Sequence, residues 1–207
     1  LMIAGSLGVG IGAVGVGGSV GVTTITKSTE AFVGHYSVVD AKGNATDLTG
    51  VYDGGMDGNG FTDLSARGLV VQAATSEDVT AVAASAGAGL YAGLGGGVTV
   101  EVIDSDTAAW IGAYAGVNQD ATGRNVGQSA HVVAVNDLSS FTFAGGLGGG
   151  IAGIGGGVDV GVVLNDTSAS IGIGAEVSAA DNIAVSAVSS REITTIAASV
   201  GGGVVGV

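Results

Sequence analysis

The stretch Leu147-Gly-Gly-Gly-Ile-Ala-Gly-Ile-Gly-Gly-Gly-Val-Asp-Val-Gly-Val-Val-Leu164 restricts the fold of this chain more than any other. Glycine at every second or third place disfavours helix by about 1 kcal/mol per residue. The apolar residues between the glycines recur with a period of two, which fits a pleated strand with one buried face. Near-copies return along the chain. Val158 follows Gly155, Gly156 and Gly157 and precedes Thr167 and the pair Ile171-Gly172. Val98, Thr107 and Ile111-Gly112 stand in the same frame, as do Val20, Thr29 and Val33-Gly34, so the copies are spaced by 78 residues and then by 60. A fourth begins where Val200 to Val204 matches Leu147 to Ile151, 53 residues on.

Such repetition predicts one continuous array over residues 1–207, with repeats of about 1–81, 82–143 and 144–195 and a partial copy at 196–207. The expected fold is all-β, a parallel β-solenoid of stacked glycine-rich repeats with loop insertions. Two or three rungs of roughly 18–26 residues would fit a minimal unit, about ten rungs in all, for a rod on the order of 45–50 Å long. Glycine is tolerated in strands where backbones approach closely, so facing sheets should sit nearer than about 10 Å, with Gly156 marking the approach.

The third repeat shows the faces of the segment after the glycine run. Ala169, Ile171, Ile173, Ala175 and Val177 alternate with Ser168, Ser170, Gly172, Gly174 and Glu176, and the first set is the expected core. By alignment the core includes Val33, His35, Ala109, Ile111, Ala115 and Val117, while Phe32, Tyr36, Trp110 and Tyr114 face outward. Insertions explain the unequal spacing: the first runs from about Asp40 to Ala66, the second from Asn118 to Ala130, and the third is only Ser178 to Asn182. The outward aromatics accompany the long insertions, which suggests that each loop folds over its own pair. An exposed platform for glycan or protein contact is the other reading.

Composition narrows the function. Five Lys and Arg against 18 Asp and Glu give a formal charge of −13, too few cations to grip nucleic acid. Glycine interrupts every apolar run, so no transmembrane helix is expected, and aromatics amount to 4%, too few for the girdles of a transmembrane barrel. The chain has no cysteine, hence no disulfide and no thiol chemistry. Gly17-Gly-Ser19-Val-Gly21 has the spacing of a hydrolase nucleophile elbow, but Ser19 aligns with Gly97 and Gly157, so the position asks for smallness. His35 and His131 lack a partner at catalytic or ligand spacing, and no cofactor motif with a following helix occurs. A non-enzymatic protein is expected. In the first insertion, Asp57, Asn59 and Asp63 have a partial calcium-loop spacing among glycines and are the candidate metal ligands.

The Gly-Gly-Gly-Val, Asp-Thr-x-Ala-x-Ile-Gly and Val-x-Ala-x-Ser cadence resembles the repeat regions of large bacterial filamentous haemagglutinin-like adhesins. The resemblance covers the whole chain. It implies an extracellular location at the bacterial cell surface, secretion by a two-partner pathway, and a role as an adhesin shaft. The expected function is therefore a structural rod or filament segment, with flanking repeats or identical subunits as neighbours and a host surface protein or glycan as target. The alternative is a carbohydrate- or calcium-binding module that uses the insertions and the outward aromatics.

Overall fold

A computed structural model describes residues 1–206. Strands make up 80% of it with no helix, so the period-two reading decides the fold class. The strands are β1 (Met2–Val33), β2 (Val38–Val39), β3 (Leu48–Asp57), β4 (Gly60–Ile111), β5 (Gly116–Val117), β6 (Gln128–Gly149), β7 (Ala152–Ile171), β8 (Glu176–Val177), β9 (Ile183–Gly202) and β10 (Val205–Gly206). Two of them turn a corner: β1 at the register shift between Gly12 and Val14, and β4 between Ala88 and Ala92.

Pairing follows the repeat. One layer holds residues 14–33, 92–111 and 152–171 side by side and in parallel, with β10 beyond. The other holds residues 2–12, the 67–89 part of β4, β6 and β9, also parallel. Val20 lies beside Val98 and Val98 beside Val158, so positions equivalent in sequence become neighbours in space. Each repeat runs out along one layer, turns, and returns along the other. One repeat is thus one circuit, not two or three. Arms of about twenty residues keep period two throughout and contain no proline, Asn-Gly or Asp-Gly at which to fold, and their Gly-Gly pairs stay in the ladder. The expected ten rungs reduce to four layers of strand, roughly 15–20 Å of stack.

The glycine arms reverse the usual sidedness. A Cβ on Gly17 would stand 2.1 Å from the Ala86 carbonyl oxygen, one on Gly95 2.2 Å from that of Leu147, and one on Gly155 2.5 Å from that of Gly146. No side chain fits there, so the layers meet backbone to backbone. Val14, Val16, Val20 and Val22 point away from the contact and are more than half exposed. Close approach is confirmed, but its markers are Gly155 and Gly157; a Cβ on Gly156 would meet nothing within 4 Å. Contact between bare backbones gains dispersion on both sides of a seam too thin for water, a gain that valines on that face would prevent.

Towards the loop end the interior widens and fills in bands. Thr99, Asp159 and Thr142 come first, next Glu101 and Ser140, then Val79, Ile103 and Leu138 with Ile25 and Val163. A buried polar band centred on Asn136 follows. Last comes the main core of Val33, Val71, Ala73, Ala109, Ile111, Ala115, Val117, Val132 and Ala134.

Candidate functional site

At the loop end each outbound arm stops at the same corner. Gly34, Gly112 and Gly172 sit at its start, and Tyr36 and Tyr114 both adopt left-handed backbone with φ 57°. The corner interrupts the expected alternation, which resumes at Ala115 and Val117. His35 and Ile173 are therefore exposed rather than core; His35 Nδ1 accepts the Ala113 N–H at 2.8 Å and pins one corner to the next.

The corner also assembles the outward aromatics. Phe32 stacks on Trp110 with centroids 4.8 Å apart and planes 9° from parallel, and Tyr36 stacks on Tyr114 at 5.2 Å and 10°. Their partners are each other, across adjacent repeats. The third repeat continues the ladder with Ser170 and Gly174, and a Cβ on Gly174 would lie 2.6 Å from the Tyr114 ring. No insertion covers the pairs: Phe32, Tyr36 and Tyr114 are each more than half exposed. The result is a flat π-surface two rings high beside a row of loops.

The first insertion goes elsewhere. Residues 48–66 form an antiparallel hairpin with Asp57 and Gly60 flanking its turn, in which Tyr52 faces Asp63. The hairpin lies on the outer face of the return layer. Tyr52 N–H donates to Gln72 Oε1 at 2.8 Å, Gln72 Nε2 donates to the Gly50 carbonyl at 3.1 Å, and Tyr52 packs edge-on against Phe61 above Val135. Beneath it His131, Val133 and Val135 are buried although they point outward. Burial lowers the His131 pKa, against the opposing charge of Asp181.

Asp57 Oδ1 accepts the Asn59 N–H at 2.7 Å, closing an Asx turn, while Asp63 sits in the ladder beyond. Asp53 Oδ1 accepts the Thr62 hydroxyl at 2.6 Å and the Gly55 N–H at 2.7 Å, and these bonds lower its pKa. Among the described residues no group of three or more His, Cys, Asp or Glu is placed to hold a metal ion. Asp57 thus serves turn geometry, and Asp63 pairs opposite Tyr52 in the hairpin.

The insertions of neighbouring repeats also clasp one another. Lys42 Nζ lies 2.6 Å from Asp120 Oδ2, and its ammonium holds the Asp120 carboxyl well below the usual carboxylate range. Asn118, also at positive φ, accepts the Ala41 N–H at 2.7 Å, and Gln128 Nε2 donates to the Ala41 carbonyl at 2.9 Å. The second insertion is thereby a bracket for the first.

One buried constellation was not anticipated. Ser105 donates to Glu77 Oε1 at 2.8 Å, Asn136 Nδ2 donates to Ser105 Oγ at 3.2 Å, and Asn165 Nδ2 donates to Asn136 Oδ1 at 2.6 Å. Lys27 Nζ stands 3.4 Å from Glu77 Oε1. A second group joins Asp159 to the hydroxyls of Thr99 and Thr142. Each group ties the two layers together, and neither has the nucleophile, base and orienting partner of a catalytic set. Ser19, in the elbow-like motif, is buried between the layers with its hydroxyl unpartnered, as a place reserved for a small residue would be.

The chain matches no protein-family model, no curated protein and no solved structure. The functional reading therefore rests on its own geometry.

Proposed function

We propose that this chain is a stretch of parallel β-solenoid and serves as a structural, non-enzymatic rod segment of an extracellular bacterial adhesin. The observation that carries the reading is the register. Residues 14–33, 92–111 and 152–171 pair position for position although insertions of very different length separate them. Stacking that ignores loop length is the property of a repeat array, where each unit needs only its neighbours. Its natural partners are further copies of the repeat at either edge, since an unpaired parallel edge is a template for another strand. Electron micrographs of the full-length protein test the reading. A long thin particle of uniform width is expected, and a compact particle would refute it.

The aromatic ladder favours a second reading, a contact surface for a host glycan or protein. Stacked rings with one open face offer the flat apolar surface on which a sugar ring packs. Trp110 reports on it directly. Saturable change in its fluorescence with an oligosaccharide, lost in Tyr114→Ala, would support this reading; no change across a glycan panel would remove it.

A further inference from the structure

Charge is distributed in this chain in a way that the rod reading does not use. Residues 1–26, 79–100, 138–158 and 193–207 contain no Asp, Glu, Lys, Arg or His. The topology brings the described parts of these four segments together, because they are the return arms, the corners at Gly12, Leu90 and Ile151, and the outbound arms that leave them. One half of the body is therefore uncharged from its corners inward, and every Asp, Glu, Lys, Arg and His of the described residues sits in the other half.

The uncharged half also presents apolar side chains on all its outer surfaces. Val16 and Val20 stand on the outbound face at 64% and 63% exposure, Leu7 and Leu147 on the return face at 77% and 55%, and Leu90 and Tyr91 at a corner at 75% and 66%. A shallow apolar hollow of about 390 Å³ between Leu7, Phe143, Leu147 and Val200 marks the return face. In the charged half the hairpin covers the corresponding outward residues, and here nothing does.

We propose that the uncharged half inserts into the hydrocarbon layer of a phospholipid bilayer as a two-layered β wedge, corners first, leaving the acidic half and its loops in water. Three observations favour lipid over a protein partner. The apolar surface wraps both faces and the corners, whereas a docked protein would cover one face. Strand spacing and rise give each face on the order of 400–600 Å², short of the roughly 800 Å² per partner of a stable complex. Together the faces exceed the 300–600 Å² or so of a typical monomer's largest apolar patch. Finally, the charge-free arms run from seven residues (152–158) to thirteen (14–26), about 23–43 Å of strand, which brackets a hydrocarbon core of about 30 Å.

Hydrocarbon demands that backbone polar groups be paired within the protein. The arms at 79–88, 92–100 and 138–149 meet that demand through parallel ladders on both sides, and near the corners the inner seam holds only backbone and small side chains. The remaining edges are those that a neighbouring repeat or a second copy would pair. In this pose the strands stand along the membrane normal, the stack runs along the membrane plane, and Tyr91 at a corner lies near the far interface, where its hydroxyl finds water. The inference goes beyond the rod reading, which concerns only how repeats stack.

Flotation of the 207-residue chain with phosphatidylcholine vesicles tests it. The protein should rise with the vesicles. Leu147→Asp and Val20→Asp, on opposite faces and both outward, should each reduce flotation at least tenfold while keeping the wild-type circular dichroism; having one on each layer secures the test if either fails to fold. Bromines on the acyl chains should quench a Trp placed by Tyr91→Trp in a Trp110→Phe background and leave native Trp110 unquenched. Protein that stays at the bottom of the gradient would overturn the proposal. So would equal quenching of both tryptophans. None of these results would bear on the register of the repeats.

Discussion

Gly146→Ala and Gly156→Ala differ by one methyl group at positions ten residues apart in one glycine-rich run, and the fold assigns them opposite fates. A Cβ on Gly146 would lie 2.2 Å from the Gly95 oxygen, 2.5 Å from the Gly95 carbonyl carbon and 2.6 Å from the Gly156 oxygen. All are backbone atoms of facing strands, so no rotamer change relieves them, and the layers must part locally by about 1 Å to reach ordinary contact at ~3.4 Å. Overpacking of a tight interior costs about 1–3 kcal/mol, and the backbone contacts argue for the upper end. At roughly 2–4 °C per kcal/mol for a chain of this size, the melting temperature should fall by about 6–12 °C. At Gly156 nothing lies within 4 Å, so Ala brings only the loss of unfolded-state freedom, about 0.5–1 kcal/mol of stabilisation and about 1–4 °C upward. Thermal melts followed by circular dichroism near 218 nm read both. If Gly146→Ala melts with the wild type while Gly156→Ala falls, the inward and outward faces are exchanged and the backbone seam is refuted.

Further outcomes can be checked in the same preparation. Asn136→Ala should lower stability by about 3 kcal/mol in urea unfolding, because it leaves Glu77 and Ser105 with buried polar atoms, and Asn165 with a half-buried one, short of a partner; a loss below about 1 kcal/mol would show that water replaces the amide. His131 is held neutral by burial, so its pKa is lower folded than unfolded. Its contribution is fully present above the unfolded value near 6.5 and is lost as pH falls from there towards the folded value. His131→Gln should flatten the pH dependence of melting over that window, and an unchanged slope would assign it to other groups. Asp57, Asn59 and Asp63 should give no calcium-dependent rise in melting temperature at millimolar ion; a rise abolished by Asp57→Asn would restore them as ligands.

How much of this was legible in the sequence depends on what each feature requires. The repeat frame and strand class could be read because parallel stacking puts equivalent residues side by side, so Val20, Val98 and Val158 must suit one another. The core beyond the glycine runs followed from alternation except at the corner, where positive φ at Tyr36 and Tyr114 leaves His35 and Ile173 exposed, and it resumes at Ala115 and Val117. The sidedness of the glycine arms was not legible from hydropathy. Glycine and valine both count as apolar there, and the choice depends on how closely two layers can approach, a property of the pair. The number of circuits per repeat was missed because the expectation used rungs of ordinary length, although arms without proline, Asn-Gly or Asp-Gly already argued for long strands. Aromatic pairing was within reach: Phe32 and Trp110 occupy the same frame position, and in a parallel stack that alone makes them neighbours. The hairpin's destination was not, since its contacts with Gln72 and Val135 depend on which layer's outer face it reaches.

The central claim, one repeat per circuit stacked in parallel register, can be tested at Val98 and Val158. The chain has no native cysteine, so pairs of nitroxide labels can be placed freely on the outward face of the outbound layer. Val98→Cys with Val158→Cys puts the labels on adjacent strands about 4.8 Å apart, and Val20→Cys with Val158→Cys puts them two strands apart, about 9.6 Å. Strong dipolar broadening of the continuous-wave spectrum is expected for the first pair, clearly weaker broadening for the second, and for Val98→Cys with Leu164→Cys, six residues out of register, almost none. Equal spectra for the in-register and out-of-register pairs, or an unbroadened spectrum at Val98 and Val158, would contradict the claim.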